Sequence, residues 1–247
     1  MPLQTRAILT GHTRGLGAAI AQLLLEQGAD VLAIARTRNG GLATRHTGKL
    51  HEVELDLADP VKLDEWLSGE ALSQFVSDAQ RVLLVNNAGM LAPVGDLANQ
   101  APAAIARAVS VNVAAPLMLA AAVVQATGQT ADTRIVHVSS GAARNAYPGW
   151  SIYCATKAAL DHHARAVALD GHRALRICSV APGVVDTDMQ AEIRDLDLAH
   201  FPMRERFDAL KRDGQLATPE QSARKVVDYL LSEAFGDTPT VDVRDLA

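Results

Sequence analysis

Cysteine is scarce: the 247 residues contain two, Cys154 and Cys178. Their spacing fits neither a zinc site nor a redox pair, and two cysteines cannot staple a disulfide-dense secreted scaffold. Both read as small buried residues, and a reducing cytoplasm is the expected compartment. Basic charge is also in deficit. Lys and Arg number 23 against 28 Asp and Glu, for a net charge of -5. The basic residues scatter rather than form a stripe, which removes the footprint of a nucleic-acid partner. Long apolar runs are missing too. The longest, Val113–Val124, contains Pro116 and is too short to span a bilayer, so no membrane partner is expected. The first apolar segment begins at Ala7, which leaves no room for a signal peptide. There is no internal repeat and no low-complexity linker. No metal is expected: His162-His163 has no further ligands at a suitable spacing.

What is present is an alternation. Ala7–Leu9, Val31–Ala35, Leu50–Leu55, Val82–Val85, Ile135–Val138 and Ile177–Val180 are short apolar runs, with a last short strand expected near Thr240–Val243. Several are apolar on consecutive residues, as strands are when both sheet faces are covered. Helical patterns lie between most of them. The expected fold is α/β: one Rossmann-type domain over residues 1–247, a doubly wound parallel sheet with helices on both faces. Arg36–Lys49 is the weak point. It is short, contains Gly40-Gly41 and Gly48, and shows no apolar stripe, so it predicts a single turn or an irregular loop.

Two clusters carry chemistry. Thr10-Gly11-His12-Thr13-Arg14-Gly15-Leu16-Gly17 follows the first strand and opens a helical pattern from Ala18. Glycines there allow a tight turn and close approach of backbone to a pyrophosphate, and a helix N-terminus supplies free N–H groups. The second cluster is Tyr153 and Lys157, which share one helix face one turn apart. An ammonium beside a phenol favours the phenolate, which would let Tyr153 act as acid or base near neutral pH.

These motifs and their order resemble the short-chain dehydrogenase/reductase family over essentially the whole chain. The match comprises Thr10, Gly11, Gly15 and Gly17; Asn86-Asn87-Ala88-Gly89; Asn112; Ser140, Tyr153 and Lys157; and Pro182-Gly183 with Thr187. Within that family the second half resembles the sepiapterin reductase and bacterial benzil reductase subgroup. The stretches are Pro148–Ala155, Ala181–Gln190, Leu210–Leu216 and Val241-Asp242.

The resemblance implies hydride transfer between a nicotinamide and a carbonyl carbon. Tyr153 would give the proton, Ser140 would hold the carbonyl oxygen, Lys157 would tune Tyr153 and hold the ribose, and Asn112 would hold a water near Lys157. Ser139 is an alternative to Ser140, but the interval to Tyr153 fits Ser140. The coenzyme would touch Gly11, Thr13, Arg14, Gly15, Leu16, Gly17, Asp56, Leu57, Asn87, Ala88, Gly89, Tyr153, Lys157, Pro182, Gly183, Val185 and Thr187. Asp56 would meet the adenine; its competing role is to cap the helix entered near Asp59-Pro60, for which Asp59 is better placed. The end of the second strand lacks the acid that selects NAD: Ala35 stands there, followed by Arg36 and Thr37. Arg14 and Arg36 suit a 2′-phosphate, so NADP(H) is the expected coenzyme.

Residues Asp188–Leu216 would form a flap over the substrate, with Met189, Ile193, Leu196, Leu198, Phe201, Met203 and Phe207 as its apolar side chains. Trp150 and Met189 are further expected substrate contacts. Asp242 would anchor a pterin edge, or else pair with Arg244. The leading expectation is an NADPH-dependent carbonyl reductase for pterin-like or vicinal dicarbonyl substrates. The alternatives are an enzyme for another secondary alcohol or ketone, and an NADP(H)-sensing protein without turnover. The intact Ser140, Tyr153 and Lys157 argue against the last. The resemblance also implies a homodimer or homotetramer.

Overall fold

The structure is a computed structural model, and it describes residues 3–128, 131–197 and 201–246. Seven strands form one parallel sheet: β1 Thr5–Thr10, β2 Asp30–Ala35, β3 Leu50–Glu54, β4 Arg81–Asn86, β5 Asp132–Val138, β6 Leu175–Ala181 and β7 Thr240–Asp242. Their order is β3-β2-β1-β4-β5-β6-β7, so the chain winds outward both ways from β1. The helices are α1 Gly15–Glu26, α2 Gly40–Arg45, α3 Pro60–Leu67, α4 Ala71–Val76, α5 Pro102–Val109, α6 Ala115–Thr127, α7 Ser151–Leu169, α8 Asp188–Arg194, α9 Arg204–Arg212 and α10 Pro219–Leu231. Successive side chains of a strand face opposite ways. Ala7 and Leu9 of β1 therefore pack with Ile20 and Leu24 of α1 and Val226 and Leu230 of α10. Ile8, between them, packs with Leu63, Leu119 and Val123 on the other face. This is the expected doubly wound sheet with both faces covered.

Three features depart from the sequence reading. Residues 36–49 contain a six-residue helix, α2, longer than the single turn and more regular than the loop expected there. The Asn39 side chain caps it by accepting from the Leu42 N–H at 3.1 Å, and Leu42 is buried against the core. One apolar residue and one cap suffice for so short a helix, and neither makes a stripe. Second, the helix around Pro116 is longer than its apolar run. It extends over Pro102–Thr127, and by length and composition it could cross a membrane. Its inner face, Ala115, Leu119, Ala120 and Val123, is part of the core. Pro116 does not break it because a π turn, Ser110–Ala114, lies immediately before. The wider turn relieves the missing N–H and the ring clash that proline brings. Third, Cys178 is buried but Cys154 is only half-buried, because α7 turns that position toward the Asn145 carbonyl near the surface.

The N-terminal edge of the sheet is locked by charge. The Asp132 carboxylate meets Arg81 at 2.9 Å, Arg134 at 3.0 Å and Arg176 at 3.1 Å. Arg134 is fully buried and also donates to the carbonyls of Leu230 and Ser232. Burial acts to raise the Asp132 pKa, but the three guanidinium groups prevail and hold it down at about 2. A carboxylate with a lowered folded pKa stabilises the fold above its ordinary value of 3.8 and loses that contribution as pH falls toward 2. The contribution is roughly 2 kcal/mol at neutral pH. Asp132→Asn should cost about 3 kcal/mol or more at pH 7, because it strands a buried guanidinium. In urea titrations the gap to wild type should narrow between pH 5 and pH 3; an equal gap at both would count against this ion cluster.

Candidate active site

The C-terminal ends of the parallel strands open into one cavity of about 960 Å³. Its floor begins at the glycine turn between β1 and α1. Gly11 has φ +75°, a conformation that disfavours other residues. Gly17 faces the turn so closely that a Cβ there would lie 2.0 Å from the Gly11 carbonyl oxygen and 2.4 Å from Asn87 Nδ2. Asn87, just past β4, clasps the turn by donating to the carbonyls of Thr10 (2.9 Å) and Gly11 (3.2 Å). Thr10 Oγ1 returns the contact by accepting from the N–H groups of Asn87 and Ala88. The N-terminus of α1 has no side-chain cap, so its N–H groups are left for a ligand. This cradle fits a dinucleotide: glycine where a Cβ would clash, and an uncapped helix end. Every residue assigned to the coenzyme from sequence lines the cavity.

Arg36 and Thr37 are exposed at its rim. Arg14 is not free, because its Nη1 lies 2.7 Å from Asp188 Oδ2 at the start of α8. Both side chains are well exposed, so this pair is weak and exchangeable. Asp56 accepts from the Ala58 N–H and from Arg107 Nη2, both at 3.0 Å. The helix cap proves to be Asp59, which accepts from the Lys62 N–H.

At the far end of the cavity Ser140, Tyr153 and Lys157 come together. Ser140 follows β5 and its Oγ accepts from the Ala142 N–H, capping the short 3₁₀ turn Gly141–Ala143. Ser139 is turned the other way, bonded to Asp161 at 2.7 Å. Tyr153 and Lys157 project from the first turns of α7. The Lys157 Nζ lies 5.8 Å from the Tyr153 ring centre and donates to the Val138 carbonyl at 2.8 Å. Here the charge expectation needs correcting. Burial pushes the Tyr153 phenol up to about 12, against a hydrogen bond with Ser140 that pulls it down. The Lys157 ammonium, held on the Val138 carbonyl and itself depressed to about 8 by burial, does not offset that rise.

Asn112 sits behind the cavity wall, 1% exposed, in the π turn. It accepts from the Met90 N–H and donates to the Met90 carbonyl and to Thr156 Oγ1. Its Oδ1 and Lys157 Nζ face the same space, since a Cβ on Gly89 would be 3.4 Å from each. His137 is a buried core histidine bonded to Asn86 and His163, and burial takes it down to about 3.

The substrate side is aromatic. Trp150 stacks on Phe201 at 4.6 Å and meets Tyr153 edge-on at 5.5 Å, with Tyr147 and Phe207 alongside. The flap contributes α8 and α9, with Ile193, Phe201 and Phe207 buried in this cluster and Met189, Leu196 and Met203 against it. Leu198 lies outside the described residues. Sequence reasoning missed Arg107, Tyr147 and Arg206, which also line the cavity. Only Tyr147 had a local signal, as an aromatic beside the Pro148-Gly149-Trp150 stretch. Asp242 also lines the cavity, but both its oxygens are taken. It accepts from Arg244 Nε, Nη2 and N–H at 2.9, 2.6 and 3.0 Å. Of the two roles expected for it, the structure shows the pair with Arg244.

Residues 5–197 match the family model described as short chain dehydrogenase. The chain belongs to the short-chain dehydrogenase family. It is therefore an oxidoreductase acting between carbonyl and alcohol groups. A benzil reductase ((S)-benzoin forming) of Bacillus cereus is 35% identical over 236 residues, covering 92% of this chain and 94% of the relative. A sepiapterin reductase of Xenopus tropicalis is 30% identical over 260 residues, covering 96% and 95%. A crystal structure of a short-chain dehydrogenase/reductase from Burkholderia vietnamiensis is 52% identical, with a TM-score of 0.72 and full coverage of both chains.

Proposed function

We propose that this family member is an NADPH-dependent carbonyl reductase for aromatic vicinal dicarbonyl substrates. The observation that carries the reading is the convergence of Ser140, Tyr153 and Lys157 on an aromatic end of the coenzyme cavity. The bound coenzyme would supply the hydride. Tyr153, protonated throughout the neutral range, gives its proton to the developing alkoxide, a far stronger base. Ser140 Oγ holds the same oxygen. Lys157, fixed by Val138, supplies a positive charge beside both.

The likeness to benzil reductases supports the dicarbonyl reading, and so does the occupied carboxylate of Asp242. A pterin substrate is the second reading, supported by the sepiapterin reductase relatives, and it needs Asp242 to exchange Arg244 for the substrate edge. NADPH consumption measured with benzil, sepiapterin and a simple aliphatic ketone separates the two. Fastest turnover of benzil is expected. Sepiapterin as the better substrate would favour the pterin reading, and no turnover of any would overturn the reductase assignment. Assembly as a homodimer or homotetramer through α5–α6 and α7 belongs to the same proposal; Val109, the last residue of α5, is exposed.

Arg14 and Arg36 are proposed to read the 2′-phosphate, with Arg14 leaving Asp188 to do so. Replacing both by Ala should weaken NADPH by about a hundredfold and NADH by little, because charge-assisted bonds to that phosphate are each worth about 1.5–3 kcal/mol. Fluorescence titration with both coenzymes checks this. Equal weakening would sink the assignment.

A further inference from the structure

Helix α7 carries Tyr153, Lys157 and Asp161 at four-residue spacing, so the three side chains lie along one face. The chemistry above uses the first two. Asp161 is 2% exposed, and a carboxylate so buried is costly unless it is fully paired. Its Oδ1 accepts from Ser139 Oγ and Ser179 Oγ, each at 2.7 Å, and its Oδ2 from Arg144 Nε at 3.1 Å. These partners frame the catalytic serine. Ser139 precedes Ser140, and Arg144 ends the 3₁₀ turn that Ser140 caps. Ser179 belongs to β6, three residues before Pro182. Arg144 continues to the Val241 carbonyl of β7 at 3.3 Å. One carboxylate thus ties α7 to the chain on both sides of Ser140.

The charges around it are few. Lys157 faces Tyr153 and Asp161 on its own helix and His137 on β5. His137 and Tyr153 are both uncharged at neutral pH. Asp161 faces Arg144 and, on β6, the Cys178 thiol, which burial pushes up to about 12. Arg144 shares its charge with Asp242 on β7. Asp161 is the negative charge that opposes the burial of the Lys157 ammonium.

We propose that Asp161 is a positioning residue: it fixes Ser140 relative to Tyr153 and keeps Lys157 cationic through neutral pH. This rests on the roles given above to Ser140, Tyr153 and Lys157. Asp161→Asn keeps the shape and an acceptor for the two hydroxyls but removes the charge. The first readout needs neither substrate nor coenzyme. In protein with ¹³C-labelled lysine, the Lys157 side-chain resonance is titrated by NMR and separated from Lys49, Lys62, Lys211 and Lys225 by comparison with Lys157→Arg. Its midpoint should fall by about one pH unit in Asp161→Asn. It should rise in Arg144→Met, an exposed position whose change leaves the field of Asp161 uncompensated. The second readout is turnover. The alkaline limb of the kcat profile should shift down with the Lys157 midpoint in Asp161→Asn. Ser139→Ala, which keeps the charge, should lower kcat about tenfold or more without moving that limb. Lys157 midpoints unchanged in both charge variants, or a wild-type kcat in Ser139→Ala, would overturn the proposal. If wild-type enzyme reduces no ketone, the reductase assignment fails, and the NMR titration still decides whether Asp161 sets the charge of Lys157.

Discussion

Tyr153→Phe lowers turnover at least about a hundredfold and leaves the fold and coenzyme affinity unchanged, given the usual contribution of a positioned general acid. The ring of Tyr153 packs edge-on against Trp150, and phenylalanine keeps that contact. What is lost is the one proton held beside Ser140. A stopped assay of alcohol formation gives kcat, and NADPH fluorescence gives binding; the two should separate cleanly. A variant retaining a tenth or more of wild-type turnover would remove Tyr153 from its role. The pH profile adds a sign. Wild-type activity should hold through neutrality and decline as pH rises through about 8, where Lys157 loses its proton, well before the phenol near 12.

Gly17→Ala has the largest expected effect outside the reacting groups. The added carbon would meet the Gly11 carbonyl oxygen at 2.0 Å and Asn87 Nδ2 at 2.4 Å. The first contact is backbone, so the turn must move or α1 must tilt, and the Asn87 clasp on Thr10 and Gly11 opens in either case. Overpacking of this kind costs about 1–3 kcal/mol. Coenzyme affinity should fall about a hundredfold or more, since the phosphate cradle is the part that shifts. Gly40→Ala is the control, because a Cβ at Gly40 meets nothing within 4 Å. Calorimetry and coenzyme titration of both variants suffice. A Gly17→Ala protein that binds like wild type would show the turn to be far softer than its contacts indicate.

The sequence made these two sites visible for different reasons. Gly17 stood in a strand–turn–helix context that leaves few alternatives, and the apolar runs around it determined the sheet. Tyr153 and Lys157 stood at helical spacing. What spacing could not convey was where the Lys157 ammonium points. That depends on the Val138 carbonyl, nineteen residues away; nor could spacing convey how deeply the phenol is buried, which turned the expected lowering of the Tyr153 pKa into a rise. Asp161 and Arg107 escaped notice for the same reason, since their partners are remote in the chain. Helix α2 was missed because a lone buried Leu42 carries no periodicity. The helix around Pro116 was undercounted because a π turn leaves no mark in a hydropathy pattern.

Strand β5 joins two regions with different demands. Asp132 begins it among three arginines, and Ser140 lies just beyond its end. At about 3.3 Å per residue the two are separated by roughly 25 Å. Free-energy changes at sites so far apart, with no shared partners, add to within a few tenths of a kcal/mol. The enzyme can therefore be made hardier at one rim of its sheet while its substrate range is rewritten at the other, and laboratory evolution can pursue both goals in parallel libraries and merge the winners.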